Sequence, residues 1–242
     1  MSNKNLFKYA ILLVATLPVF ALAETNVTAT ANTSIKVDAS ARKLQNIIQH
    51  SDTAINARIE ALNKLSLRIQ AMKNVSAGVK ASLASEVQTN TQGLSALKTK
   101  IDADTDANVA ATDQKSIYGD FRIYALIIPK GYLLASADRV KVVSGLLTDL
   151  QSKLQARATT SSSAELTSLL ADMTSKIADA KVEAGLAESG IVNLSPDKGD
   201  KAVAESNHSA LVTARAHVKT ASTDLKAARE DARKIMKKLK TN

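Results

Sequence analysis

The chain has no cysteine and no tryptophan, and it has only three prolines; aromatic residues make up 3% of its 242 residues. Each shortage excludes something. Without cysteine there is no disulfide, no thiolate metal site, no thiol nucleophile and no cysteine to carry a lipid anchor. With so few aromatic rings, a cleft that stacks sugars or bases is not expected. No G-x-S-x-G, phosphate-loop, dinucleotide-binding or H-E-x-x-H pattern occurs. His50, His208 and His217 are the only histidines, and the last two, on one expected helix, lack the i, i+4 spacing of a helical metal pair. Carboxylates are common on expected helix faces, but no pair is marked as catalytic. These observations name no catalytic residue, no cofactor and no metal ligand, and they point away from an enzyme.

What the chain does have is a leader followed by a long helical pattern. Lys4 and Lys8 precede the apolar run Ala10–Leu17, and Ala21-Leu22-Ala23 fits a small-x-small cleavage site. Residues 1–23 therefore read as a cleaved signal peptide. The protein is expected to be exported, periplasmic or extracellular, and not lipid-anchored. Residues 24–33 are small and polar and read as a flexible N-terminus. The formal net charge is +9, and the chain stays basic without its leader, which carries no acid. That balance suits an anionic membrane or cell-wall surface. A nucleic-acid partner is not expected, because no aromatic residue interleaves with the basic clusters. Asn-x-Ser/Thr triplets, those at Asn26, Asn32, Asn74 and Asn207 among them, matter only in a glycosylating secretory pathway.

From about Ser34 the apolar residues fall into heptads. Ile48, Ile55, Leu62 and Ile69 make one track, flanked by Leu44, Ile59, Leu65 and Met72. Lys73 to Ser76 reads as a tight turn, with Asn74 ending the first helix in the left-handed conformation and Ser76 capping the next. Val87, Leu94 and Ile101 continue the pattern, with polar Asn90 in a matching place, as a register device or at a wet edge. Asp102, Asp104 and Asp106, with Asp113 in the twelfth position, resemble a calcium loop. Ala107, however, stands where that loop needs glycine, and acids that cap a helix N-terminus are the plainer reading. After Leu133, Val140, Leu147 and Leu154, the Ser/Thr run 159–163 breaks the chain. Ser162 and Glu165 form a capping-box pattern there. Leu166, Met173, Ala180 and Ala187, with Leu170, Ile177, Ala184 and Ile191, make the cleanest seam. Residues 193–200 are a loop, and a final helix runs from about Lys201 to Lys240.

One stretch stands apart. Ser116 to Val140 holds every aromatic residue outside the leader, and its candidate core or interaction patch is Tyr118, Phe121, Tyr124, Ile128 and Tyr132. Ile117, Phe121, Tyr124 and Ile128 fall on one face of a helix that would end or kink before Pro129 and restart near Gly131. A strand is the alternative, but no second strand-like segment exists to pair with it. Arg122, Asp138 and Arg139 are charges in this apolar ground and are expected to pair at its rim. A candidate basic face, Arg229, Arg233, Lys234, Lys237 and Lys238, lies near the end of the last helix, where cations complement the macrodipole.

The stretches ARIEALNKLSLRI, LKTKIDADTD and FRIYALIIPKGYLLASADRV resemble a group of secreted helical proteins predicted from genomes of small uncultured bacteria. The resemblance spans most of residues 52–240. It implies a bacterial exported protein and brings no known activity, so it assigns a role to no residue. The expected fold is all-α: one domain over residues 34–242, an elongated antiparallel bundle of five or six long amphipathic helices with coiled-coil-like seams. The expected role is structural or protein-binding, toward other proteins or itself through helix faces. The alternative is a membrane-active protein that inserts residues 116–140, against which Arg122 and Lys130 count.

Overall fold

The computed structural model of the chain describes residues 27–158 and 163–241. The expected leader and the Ser/Thr run 159–162, with Ser162 of the capping-box pattern, lie outside the described residues. The chain divides into two compact units, Met1–Ser40 and Ala41–Asn242. Six helices are present among the described residues, with no strand: α1 (Val27–Ala71), α2 (Ala77–Asp102), α3 (Ala107–Gly119), α4 (Ile127–Ala158), α5 (Ala164–Ile191) and α6 (Lys201–Thr241). The fold is all-α and a helical bundle, as the heptad period implies. α1 begins at Val27, earlier than the Ser34 expected from composition.

Within the second unit the seams close as the apolar period dictates. Ile55, Leu62, Leu65 and Ile69 of α1 are buried, as are Leu83, Val87, Leu94 and Ile101 of α2. Every residue of the two α5 tracks is buried, and Leu211, Ala214, Ala221, Leu225, Ala228, Ala232 and Ile235 of α6 join them. Where both seams are alanine, the helix axes can approach closely without leaving a void. Ion pairs at the seam edges fix directions. Lys98 of α2 bonds Asp52 of α1, and its ammonium is held above the usual lysine range, first by that carboxylate. Lys141 of α4 meets Glu188 of α5. Glu183 of α5 lies 2.7 Å from His217 of α6, and Glu165 reaches Lys238. Neighbours α1/α2, α4/α5 and α5/α6 therefore run antiparallel.

Helix ends depart from expectation at two places. Asn74 does not turn left-handed; among the described non-glycine residues only Lys198 has positive φ. Ser76 caps α2 as expected, accepting from the Val79 N–H at 3.3 Å. The expected capping box rests on Ser162, outside the described residues. The N-cap of α5 is Ser163, whose side chain makes no capping bond, and Glu165 reaches across to Lys238. The second departure is the larger. The Ser116–Val140 stretch breaks at Gly119-Asp120, not at Pro129. Residues 120–126 are an irregular connection, and Pro129 lies in the first turn of α4, where a missing N–H costs nothing.

Gly131 marks a close crossing of α1 and α4. A Cβ there would stand 2.5 Å from Cδ1 of Leu65, which is fully buried. Gly145, on the same helix, would meet nothing within 4 Å. Two alanine substitutions with the same helix-propensity gain of about 1 kcal/mol should therefore have opposite signs. Gly145→Ala should raise the urea midpoint. Gly131→Ala should lower it, because overpacking costs about 1–3 kcal/mol. Equal midpoints for the two variants would refute the close crossing.

Candidate functional site

The irregular connection 120–126 and the opening turns of α4 are where α1, α2, the α5–α6 loop and the start of α6 converge. The convergence is built from aliphatic residues. Ile117, Ile123, Leu126, Ile127, Leu134 and Ala137 are all buried. Phe121 packs against this core and lies over Gly93 of α2, where a Cβ would come within 2.6 Å of its ring. Ile128 and Tyr132 are half-buried against the same core. The expected single helical face does not exist: Ile117 is in α3, Phe121 and Tyr124 are in the connection, and Ile128 is in α4.

Two buried charges lock this region. Asp138 is 5% exposed. Its carboxylate accepts from the N–H groups of Lys73 (2.9 and 3.1 Å), Asn74 and Val75 (3.2 Å) in the α1–α2 turn. Lys80 donates to the Met72 carbonyl at 2.8 Å, so three orphan donors and one orphan acceptor of this turn are satisfied by side chains. Lys130 is 3% exposed. Its ammonium donates to Glu86 of α2 at 3.1 Å and to the Leu194 carbonyl beyond α5 at 2.9 Å. Of the other charges in the stretch, Arg122 pairs with Asp197 at 2.8 Å. Arg139 is exposed and lines a hollow of 260 Å³ beside Asp138; the rim pairing expected for it is not formed.

Tyr118 and Tyr124 are more than half exposed. The Arg58 guanidinium lies between them, 4.8 Å from the ring centroid of Tyr118 and 5.4 Å from that of Tyr124. Arg68 lies 4.6 Å over Tyr132. The tyrosines thus cover arginines of α1 at the surface, and the aliphatic residues make the core. By sequence Arg58 is one of the charges on the solvated faces of α1, and nothing local marks it as a partner for these rings.

A cleft runs between the connection and the α5–α6 loop. The Arg122–Asp197 pair divides it into hollows of 450 and 320 Å³. Asn90 lines the larger one and donates to its own helix at the Glu86 carbonyl, so it sits at a wet edge and fixes no register. Three of the four acids of the calcium-like loop serve separate tasks. Asp106 caps α3 through the Asn108 and Val109 N–H groups, Asp102 pairs with Lys98, and Asp113 pairs with Lys100. Among the described residues no group of three or more His, Asp or Glu side chains is placed to hold a metal ion. On the expected basic face, Arg233 and Lys234 pair with Glu230 and Asp231 of α6, and Lys238 pairs with Glu165. Arg229 is exposed, as is Lys237. His50 and His208 are exposed, and His217 meets Glu183. Among the described residues no helix is long and apolar enough to cross a membrane.

No family model, curated protein or solved structure matches the chain. Its chemistry is therefore read from these residues alone.

Removing the Asp138 carboxylate leaves three backbone donors without their acceptor. Asp138→Ala should cost about 3 kcal/mol, and Asp138→Asn, which keeps one acceptor oxygen, should cost less. Chemical denaturation of the two variants checks the order; an effect under about 0.5 kcal/mol for the alanine variant, the level of an ordinary surface change, would remove Asp138 from the account.

Proposed function

We propose that the chain is an exported, non-enzymatic helical protein of the cell envelope or extracellular space, acting through helix-face contacts with other proteins or with copies of itself. The observation that carries this reading is the Tyr118–Arg58–Tyr124 stack. Arginine and tyrosine are the residues that most often dominate interface energetics. Here two half-exposed rings are held in place by a cation between them, so little side-chain entropy is left to lose on binding. The leader-like residues 1–23 and the resemblance to secreted bacterial helical proteins support export. The non-enzymatic part is supported by the engagement of the centrally placed carboxylates in caps and ion pairs.

The membrane-active alternative asks more of the molecule. To insert residues 121–137, Ile123, Leu126, Ile127 and Leu134 would have to leave the core. Lys130 would have to give up Glu86 and the Leu194 carbonyl, at the cost of taking its charge into lipid.

Two measurements separate the readings. A photo-crosslinking residue replacing Tyr118 or Tyr124, in cells that export the protein, should give a discrete protein adduct. The same residue at exposed Thr89 on α2 should not, and equal labelling at both places would remove the stack from the proposal. Co-sedimentation with anionic and neutral vesicles, with tyrosine fluorescence followed in parallel, should show no binding that survives high salt. Salt-resistant binding that changes the tyrosine signal would put the membrane-active reading first.

A further inference from the structure

The smaller hollow of the cleft has a chemical character that a protein contact surface does not require. Its floor is apolar, from Leu126, Pro129 and Leu211, and Leu126 and Leu211 are each 5% exposed. Four nitrogen-bearing side chains line it, Arg122, Asn207, His208 and Arg215, and the Asn207 amide is taken up by the Ser195 carbonyl at 2.8 Å. Arg215 and His208 make no hydrogen bond or ion pair with any described residue, and Arg122 uses one of its two Nη groups, donating to Asp197. Asp197 is the only acid in the lining. Its side chain is 10% exposed, and it also accepts from the Gly199 N–H at 2.9 Å. The acid is thus fixed from the loop side, whereas Arg122, which also lines the hollow, has further guanidinium N–H groups that bond no described residue.

We infer that this hollow is a binding site for a small organic carboxylate with an apolar body. The carboxylate would lie between Arg122 and Arg215, and the apolar part on Leu126, Pro129 and Leu211. The volume of 320 Å³ is at the small end of the range for ligand pockets, which fits a short aliphatic or aromatic acid. An arginine fork matches a carboxylate in two-point geometry. The apolar floor disfavours inorganic phosphate, which would leave it wet and unfilled. Asp197 competes with the ligand for Arg122 and sets the affinity. This site goes beyond the protein-contact role and does not depend on it, since the Tyr118–Arg58–Tyr124 stack contributes only Tyr124 to the lining.

The test is a titration of the full chain with hexanoate, with inorganic phosphate as the charge-only control, following the arginine Nε–H resonances by NMR. Hexanoate should shift the Arg122 and Arg215 signals and bind in the millimolar range or tighter, and phosphate should not displace it. Arg215→Ala should weaken hexanoate at least about tenfold with an unchanged melting temperature, because Arg215 has no hydrogen-bond or ion-pair partner among the described residues to lose. Asp197→Asn, which keeps an acceptor for the Gly199 N–H, should tighten it. The inference is overturned if hexanoate at about 20 mM leaves both signals in place. Equal binding in Arg215→Ala, or displacement by phosphate at equal concentration, would overturn it as well.

Discussion

A single carboxylate organises the second unit. Asp138 is buried, and a buried charge without partners would cost several kcal/mol. It is tolerated because three successive N–H groups of the α1–α2 turn close on it. The turn, in turn, has no left-handed residue of its own to define it. Each side of the contact supplies what the other lacks. About two helical turns earlier on α4, Lys130 does the complementary work, holding α2 through Glu86 and the α5–α6 loop through the Leu194 carbonyl. Between these two charges the helix buries Leu133, Leu134 and Ala137, and at Gly131 it lets Leu65 of α1 close in. The first half of α4 is thus fixed by directional bonds and the second half by the apolar seams of α5 and α6. Heptad seams alone tolerate slips by a whole repeat. On this account the buried charges set the register of α1 and α2 against α4, more than they add net stability.

What the sequence made readable follows from what is local. The seam of α5 could be named residue by residue because a 3.5-residue apolar period is a property of neighbours in the chain. The loop over residues 193–200 was equally plain, with Pro196 and Gly199 in it. The break at Gly119-Asp120 was missed because the apolar spacing of Ile117, Phe121, Tyr124 and Ile128 happens to fit a helix. Periodicity records which residues are apolar, and it does not record that the chain must bend to bring α4 alongside α1. The tyrosines were read as one patch with Phe121 and Ile128. In the fold, Phe121 and Ile128 turn inward, and Tyr118 and Tyr124 turn out. Arg58 decides the outcome for the two tyrosines, and it lies some sixty residues away in sequence. The partners of Asp138 and Lys130 were unreadable for the same reason: the contacts span 63–65 residues for Asp138 and 44 and 64 residues for Lys130.

Both surface features of interest arise from the same seven-residue interruption. Residues 120–126 turn Tyr124 onto Arg58 and Arg122 onto Asp197, and the space left beside them is the cleft. An irregular segment held between rigid helices is where binding groups are usually displayed. Here the helices α1, α2, α4 and α6 supply the rigidity, and the two buried charges keep the interruption in one conformation. The regular outer faces of α5 and α6, by contrast, are mostly solvated and offer no comparable cluster.

The central claim is that Asp138 holds the α1–α2 turn as firmly as the core is held. Native-state hydrogen exchange of the Lys73, Asn74 and Val75 amides tests it most directly. Amides in a surface turn normally exchange through small local openings, at free energies far below global unfolding. If Asp138 is the clamp described here, these three should exchange at a free energy close to that of core amides such as Leu134 and Ala137. Exchange as fast as that of the exposed Ser85 side of α2 or faster would show the turn opening freely, and the register of α1 and α2 against α4 would then have to come from the seams alone.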